Sequence, residues 1–172
     1  MSEFPDLVAQ LDPPMAVVTT VSGDERAGCL IGFHAQCSID PPRYVVWLSK
    51  ANHTFRVGLH AQHFAVHFLG EDDLETARLF GTTSGDDVDK FSRCAWTPGP
   101  GGVPVLDACP SHFLARRVTL LEEGSDHVCL VLEVSETSTD GSLRPLRLSQ
   151  AQVLDPGHDA DERPKPATER AG

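Results

Sequence analysis

The sequence predicts a mainly β protein, a β-barrel with helices at its periphery. Short segments rich in β-branched and aromatic residues recur along the chain, and Gly, Pro, Asp and Ser clusters separate them. Only three segments show helical spacing of apolar residues, and all are short. With 172 residues and 40% hydrophobic content, the chain suits one domain with a sizeable core.

The first half of the chain predicts strands alternating with short helices. A helix is expected over residues 4–11, where apolar side chains recur at intervals of three and four. A second helix is expected over 54–62, with Asn52 or Thr54 as its N-cap. The acidic start of residues 71–80 suits the positive end of a third helix. Four strands are expected in this half: 15–21, 26–34, 43–49 and 64–69.

The second half predicts strands joined by turns, followed by a tail. Four strands are expected here: 103–106, 111–122, 127–136 and 143–148. Residues 155–172 contain no apolar residue beyond alanine, so they are expected to form a disordered, acidic and proline-containing tail. The folded domain is therefore expected to cover residues 1–154.

Composition and charge argue against several classes of function. The formal net charge of −11 disfavours nucleic acid or an anionic membrane as the main partner. No apolar run approaches the roughly 20 residues of a membrane span, and no export signal opens the chain. Five cysteines without a CxxC pair favour reduced thiols and a cytoplasmic location. His60, His63 and His67 lack further ligands, so no metal site is expected.

Residues 26–54 carry the pattern that points to a ligand. An apolar, glycine-containing strand leads to a polar turn at residues 36–38, and a second strand leads to a polar turn at residues 49–54. Backbone N–H groups, hydroxyls and Lys50 at a helix start suit a phosphate. This predicts a site for a flat anionic ligand of the flavin mononucleotide (FMN) type. Taken singly, each turn is better explained as a helix cap or a strand end, and only the two turns together favour the ligand site.

An ordered series of short motifs resembles the flavin reductase-like family, whose fold is the FMN-binding split barrel. The similarity covers about residues 12–154 and rests on the order of these motifs: Ala27-Gly28, Ser38, Asp40-Pro41-Pro42, Ser49 to Thr54, Asp89-Lys90-Phe91, Gly102 to Leu106 and Asp126-His127. The resemblance implies a homodimer of six-stranded, Greek-key-like barrels that bind FMN or FAD. It also implies hydride transfer from NADH or NADPH to the flavin, often as the reductase half of a two-component monooxygenase.

The resemblance also implies roles for individual residues. The ring edge would be lined by Leu30, Ile31, Gly32, Phe33 and His34, mostly through their backbone. The ribityl chain and phosphate would lie on Gln36, Cys37 and Ser38, and the phosphate would be held by Ser49, Lys50, Ala51, Asn52 and Thr54. Lys90 and Phe91 would approach the flavin from a later loop. His127 would position the nicotinamide.

The chain departs from the family pattern at three places, which leaves two other functions open. Leu30, Gly32 and Phe33 stand where relatives carry threonine, serine or asparagine; Gly124 comes one place early, and Leu132 replaces a common glycine. The main hypothesis is an NAD(P)H:flavin oxidoreductase. The alternatives are a flavin-binding module for storage or sensing, and a structural barrel dimer with an empty pocket or another cofactor.

Overall fold

The structure is a computed structural model that describes residues 3–154. Its strands are β1 (Ala16–Ser22), β2 (Glu25–Ile31), β3 (His34–Ser38), β4 (Arg43–Ser49), β5 (His63–Phe68), β6 (Trp96–Pro98), β7 (Pro104–Leu106), β8 (His112–Leu121) and β9 (His127–Ser138). Its α-helices are α1 (Phe4–Ala9), α2 (His53–Gly58), α3 (Leu74–Thr82) and α4 (Leu148–Ala151). Single 3-10 turns lie at Lys90–Ser92 and Pro100–Gly102.

Seven strands form one antiparallel sheet in the order β2-β1-β5-β8-β9-β4-β3. Its two edge strands, β2 and β3, follow one another directly in the chain. The sequence predicted one strand there, and the chain instead bends at Gly32 and Phe33. Counting β2 and β3 as one bent strand gives the six strands that were expected. The mainly β class is confirmed, and the curled sheet is a barrel that is split at this bend.

The barrel is filled by the inward-facing residues of its strands. Successive residues of a strand face opposite sides, and Ala16 and Val18 of β1 therefore join Val46 and Leu48 of β4 inside the barrel. Phe64 is fully buried at the centre of the same cluster. Burying these side chains supplies the main stabilising free energy, at roughly 25 cal/mol per Å² of apolar surface.

A second apolar layer covers the outer face of β1 and β2. Met15 and Val17 face outward and pack beneath α3, whose Ala77 and Phe80 are buried. Gly28 of β2 permits this contact: a Cβ added there would lie 2.8 Å from the Phe80 ring. The layer fixes α3 and the 3-10 turn at Lys90–Ser92 against one edge of the sheet.

His67 joins the small hairpin of β6 and β7 to the sheet. Its Nδ1 lies 3.1 Å from the Val17 carbonyl oxygen, and its Nε2 accepts the Leu106 N–H at 3.0 Å. The carbonyl can only accept, so the proton sits on Nδ1 and the ring is neutral. Burial lowers the pKa of His67 to about 3.

Several predicted elements differ in the structure. Residues 36–38 belong to β3 and contain a β-bulge at Cys37, so the predicted turn is wrong. The predicted strand at 143–148 contributes only two isolated bridges. Helix α2 ends four residues early, at Gly58, and the strand β6 was missed. None of the residues of α1 is buried. The predicted tail, residues 155–172, lies outside the described residues.

Residues 3–154 contain neither a membrane-spanning helix nor a cluster of metal ligands. None of the helices there is long and apolar enough to cross a membrane. Nor do three or more His, Cys, Asp or Glu side chains in that range come together in a way that could hold a metal ion.

The neutral His67 predicts a loss of stability in acid. The unfolded chain binds a proton near the ordinary histidine pKa of 6.5, whereas the folded state does so only near 3. This contribution to the free energy of unfolding is therefore complete above about pH 6.5 and decreases as the pH falls towards 3, at roughly 1.4 kcal/mol per unit. Urea unfolding at several pH values measures it. The slope should shrink in His67→Gln and persist in His60→Gln, a change at an exposed histidine; equal slopes in both variants would contradict it.

Candidate functional site

The bend between β2 and β3 leaves one edge of β2 without a neighbouring strand. The Gly28 carbonyl oxygen points away from β1, since it accepts a hydrogen bond from Lys90 Nζ at 2.9 Å. Main-chain groups of alternate residues in a strand point to the same side. Leu30 therefore directs its N–H and C=O groups to the same open edge, and Gly32 lies just beyond the strand, at the bend.

This open edge borders a small cavity of about 190 Å³. The segment 29–33 forms one wall, and β4, the turn after β4 and the start of β9 form the other. The lining residues are Cys29, Leu30, Ile31, Gly32, Phe33, Trp47, Ser49, Asn52 and His127. Seven of these nine residues, all except Cys29 and Trp47, are predicted site residues, and they come from the predicted ring edge, the phosphate turn and the nicotinamide histidine.

An apolar cavity of about 420 Å³ adjoins it across Gly32, Phe33 and Trp47, which line both spaces. We call it the apolar annex; its other lining residues are Val8, Leu11, Pro13, His34 and Leu148. The smaller cavity lies below the roughly 300–1,000 Å³ that ligand cavities usually measure. A tricyclic ring at the open edge of β2 would therefore extend into the annex.

His34 presents its ring to the annex without a free polar atom. Its Nε2 lies 2.8 Å from the Pro14 carbonyl oxygen and therefore carries the proton, and its Nδ1 accepts the Tyr44 hydroxyl at 2.7 Å. Burial lowers the pKa of His34 and raises the pKa of Tyr44 to about 12. Both groups are thus neutral near pH 7, and the annex suits an uncharged, apolar surface.

His127 lies at the mouth of the smaller cavity in contact with Phe33. The two ring centroids are 5.1 Å apart at an interplanar angle of 53°. Asp126 Oδ1 lies 2.9 Å from His127 Nδ1, and this contact lowers the pKa of the Asp126 carboxyl. The carboxylate orients the imidazole so that its Nε2 edge is available to a ligand.

The turn at residues 49–54 is ordered by its own side chains. Asn52 caps α2 by accepting the Thr54 N–H at 3.1 Å, and the Ser49 hydroxyl accepts the Ala51 N–H at 3.3 Å. Thr54 is buried, whereas Ser49, Ala51 and Asn52 are half-buried. The turn therefore holds its shape without a ligand.

Lys50 ties this turn to the end of the β8–β9 hairpin. Its N–H donates to the Asp126 carbonyl oxygen at 2.9 Å, and its Nζ donates to Glu122 Oε1 at 2.5 Å. The Gly124 N–H donates to the same Glu122 oxygen at 3.0 Å. The Lys50 bond, followed by the Gly124 bond, lowers the pKa of Glu122.

The residues 36–38 do not join the phosphate turn. Ser38 pairs with Arg43 at the beginning of β4, whereas Ser49 ends that strand. The two positions are separated by six residues of extended chain, or roughly 20 Å. A single phosphate cannot contact both. The Gln36 amide is exposed and bonds to the Ser38 carbonyl oxygen, and Cys37 is exposed in the bulge.

Lys90 and Phe91 do not line this cavity either, although the resemblance placed them at the flavin. Lys90 is 4% exposed, and its Nζ donates to the carbonyl oxygens of Gly28 and Phe80. Burial lowers its pKa. The Phe91 ring packs against Phe80 and Trp96 in the outer layer. Both residues border a separate cavity beside residues 24–28.

Three residues of the site were missed by sequence reasoning. Trp47 was predicted only as part of the strand 43–49, but it shares its outward face with Ser49. Its main-chain N–H donates to the Phe33 carbonyl oxygen at 3.0 Å. The period of two along β4 was the available signal. Cys29 lines the cavity from the buried face of β2. Glu122 gave no local signal, because its role depends on the register that places Ser49 opposite His127.

The arrangement fits a flavin nucleotide. The free main-chain groups of β2 suit the polar edge of an isoalloxazine ring, and the annex suits its hydrocarbon edge. The turn with Ser49, Lys50 and Asn52 offers hydroxyl, amide and ammonium groups to a phosphate. Lys50 is the cation of this turn, and in the flavin-free protein its ammonium is paired with Glu122.

The chain is similar to known proteins in both sequence and fold. The family model of the flavin reductase like domain matches residues 8–153. The reductase subunit of stachydrine N-demethylase from Rhizobium meliloti is 27% identical over 72% of the chain and 54% of its own length. An NADH-dependent FMN reductase from Bradyrhizobium diazoefficiens is 25% identical over 73% of the chain and 69% of its own length. The chain thus spans about half the length of the first relative.

Among solved structures, the chain is similar to an NADH:FAD oxidoreductase from Streptomyces globisporus. The TM-score is 0.76 at 23% identity, and the match covers 83% of this chain and 85% of the other. At this level of identity the likeness shows the fold alone.

Proposed function

The chain belongs to the flavin reductase-like domain family, and on this premise we propose that it transfers hydride from NADH or NADPH to a flavin. FMN is the proposed flavin, with FAD as the alternative. The observation that carries the proposal is the cavity between the open edge of β2 and the polar turn 49–54, with His127 at its mouth. The relatives named above, a reductase subunit and an NADH-dependent FMN reductase, support the same reaction class.

The bound flavin supplies the hydride-accepting chemistry, and the chain supplies position and environment. The main chain of Leu30 and Gly32 holds the polar ring edge, and the annex takes the apolar edge. Lys50, Ser49 and Asn52 hold the phosphate. Phe33 and His127 orient the nicotinamide above the ring and limit its contact with water. Hydride transfer to a flavin needs no acid or base from the protein. The protein's contribution to the rate is therefore the relative orientation of the two rings.

We further propose that the protein is a homodimer located in the cytoplasm. Large apolar side chains are exposed at Leu7, Leu11, Val118 and Leu121, and a second copy would cover them. All five cysteines are free thiols, which suits a reducing compartment. A monooxygenase that uses reduced flavin is the proposed electron acceptor, by analogy with the reductase subunit among its relatives.

A flavin-binding module without efficient turnover is the second candidate. The observation that favours it is the contact of Phe33 with His127, since both rings line the cavity and the family resemblance implies a smaller, polar residue in place of Phe33. In that case flavin binds, but the nicotinamide has no room to stack.

Spectroscopy separates these functions. We expect the purified protein to bind FMN and show flavin absorption, and we expect this absorption to bleach under anaerobic conditions when NADH or NADPH is added. Colour that persists with both donors would favour the binding module. Failure to bind either FMN or FAD would contradict both functions.

Replacing the phosphate lysine should weaken FMN binding. We expect Lys50→Ala to raise the Kd for FMN by about 10- to 100-fold, because one charge-assisted bond is worth roughly 1.5–3 kcal/mol. Ser38→Ala, at the other end of β4, is the comparison variant and should change this Kd much less. Titration of flavin fluorescence measures both. A larger loss in Ser38→Ala would move the phosphate to that end of β4.

Replacing the histidine should affect the nicotinamide and not the flavin. We expect His127→Ala to raise the KM for NADH or NADPH several-fold, because the ring that orients the nicotinamide is lost. The Kd for FMN should stay within about twofold of the wild-type value, since no phosphate or ring-edge contact changes. Steady-state kinetics and flavin titration check the two halves. A loss of flavin affinity with unchanged KM would assign His127 to the flavin instead.

A further inference from the structure

We propose that the Glu122 carboxylate is an internal competitor for the flavin phosphate: it occupies the Lys50 ammonium in the flavin-free protein and is displaced when FMN binds. The Lys50–Glu122 pair then sets how strongly the protein distinguishes phosphorylated flavins from riboflavin. This inference rests on the proposed function and adds a selectivity-determining residue outside the cavity.

The first support is the geometry of the pair. Lys50 Nζ lies 2.5 Å from Glu122 Oε1, and the side chains are 33% and 45% exposed. Lys50 belongs to the turn whose Ser49 and Asn52 line the cavity. The only ion pair of Lys50 within residues 3–154 is the one with Glu122. The cation proposed for the phosphate therefore already has an anionic partner.

The second support is that the Glu122 oxygen facing Lys50 is also held by the main chain. Its Oε1 also accepts the Gly124 N–H at 3.0 Å, at a glycine whose φ of +80° suits a tight turn. Lys50 N–H in turn donates to the Asp126 carbonyl oxygen at 2.9 Å. Lys50 thus faces a negatively charged oxygen that also accepts a hydrogen bond from a main-chain N–H. A phosphate oxygen at this turn would offer the lysine the same chemistry.

The third support is energetic. A half-exposed ion pair is weak enough to exchange partners, whereas a buried pair is not. A phosphate monoester carries nearly two negative charges at neutral pH and outcompetes a single carboxylate. Only molecules in which Lys50 is free of Glu122 can bind the phosphate fully. The apparent affinity for FMN therefore falls in proportion to the fraction of such molecules. For a pair of this strength the cost to the apparent affinity is about two- to fivefold.

The test compares carboxylate removal at two neighbouring positions. We expect Glu122→Gln to lower the Kd for FMN by about two- to fivefold. Glu123→Gln is the matched control, since it removes the same charge one residue away and no ion pair of Glu123 is found within the described chain. It should leave the Kd near the wild-type value. Riboflavin lacks the phosphate, so its Kd should be the same in all three proteins.

A double substitution checks that the effect passes through Lys50. In a Lys50→Ala background, Glu122→Gln should no longer tighten FMN binding, because there is no ammonium to release. Circular dichroism confirms that each variant is folded. Equal effects of Glu122→Gln and Glu123→Gln, equal tightening of riboflavin, or a gain that persists without Lys50 would each overturn the proposal.

The outcome for the wild-type protein separates this inference from the function beneath it. If the wild-type protein binds neither FMN nor riboflavin, the proposed function and the competition both fail. If it binds FMN and bleaches with NADH while Glu122→Gln has no specific effect, only the competition fails.

Discussion

The bend at Gly32 and Phe33 is the feature on which the rest of the site depends. One continuous segment supplies both edge strands of the sheet, and the change of direction prevents them from pairing with each other. Unpaired main-chain groups in a fold must meet water, side chains or a ligand. The protein satisfies the Gly28 carbonyl with Lys90, and the next outward groups of β2, at Leu30, lie beside a cavity that Gly32 also lines. The ligand site is thus a direct result of how the barrel fails to close.

Two lysines near this edge show how differently one residue type is used. Lys90 is buried, and two carbonyl oxygens hold its ammonium, so it fastens the outer layer to β2. Lys50 is half-exposed, and a single carboxylate holds it. Exchange of partners costs little at the surface and much in the interior. The exposed lysine is therefore suited to an incoming anion, and the buried one is suited to permanent structure.

Sequence reasoning identified the family, the barrel and seven of the nine residues that line the cavity, because local signals carry them. Strands are marked by β-branched segments, and the turn 49–54 is marked by its polar composition. Sequence reasoning failed where the position of a residue depends on how the strands pair. Ser38 and Lys50 are both polar and close in the sequence, but β4 holds them at opposite ends. The family resemblance placed Lys90 at the flavin, and only the packing shows that the carbonyl oxygens of Gly28 and Phe80 hold its ammonium.

The exposed margin of β2 has a consequence for handling the protein. Strand edges with unsatisfied amides are templates on which another polypeptide can add a strand. Helix α3 shields only the outer face of β2, and the margin itself stays open beyond Gly28. Intermolecular strand addition is therefore a hazard of the empty molecule in particular. A flavin bound at this edge would block strand addition by a second molecule. Protein saturated with flavin should therefore aggregate more slowly than flavin-free protein.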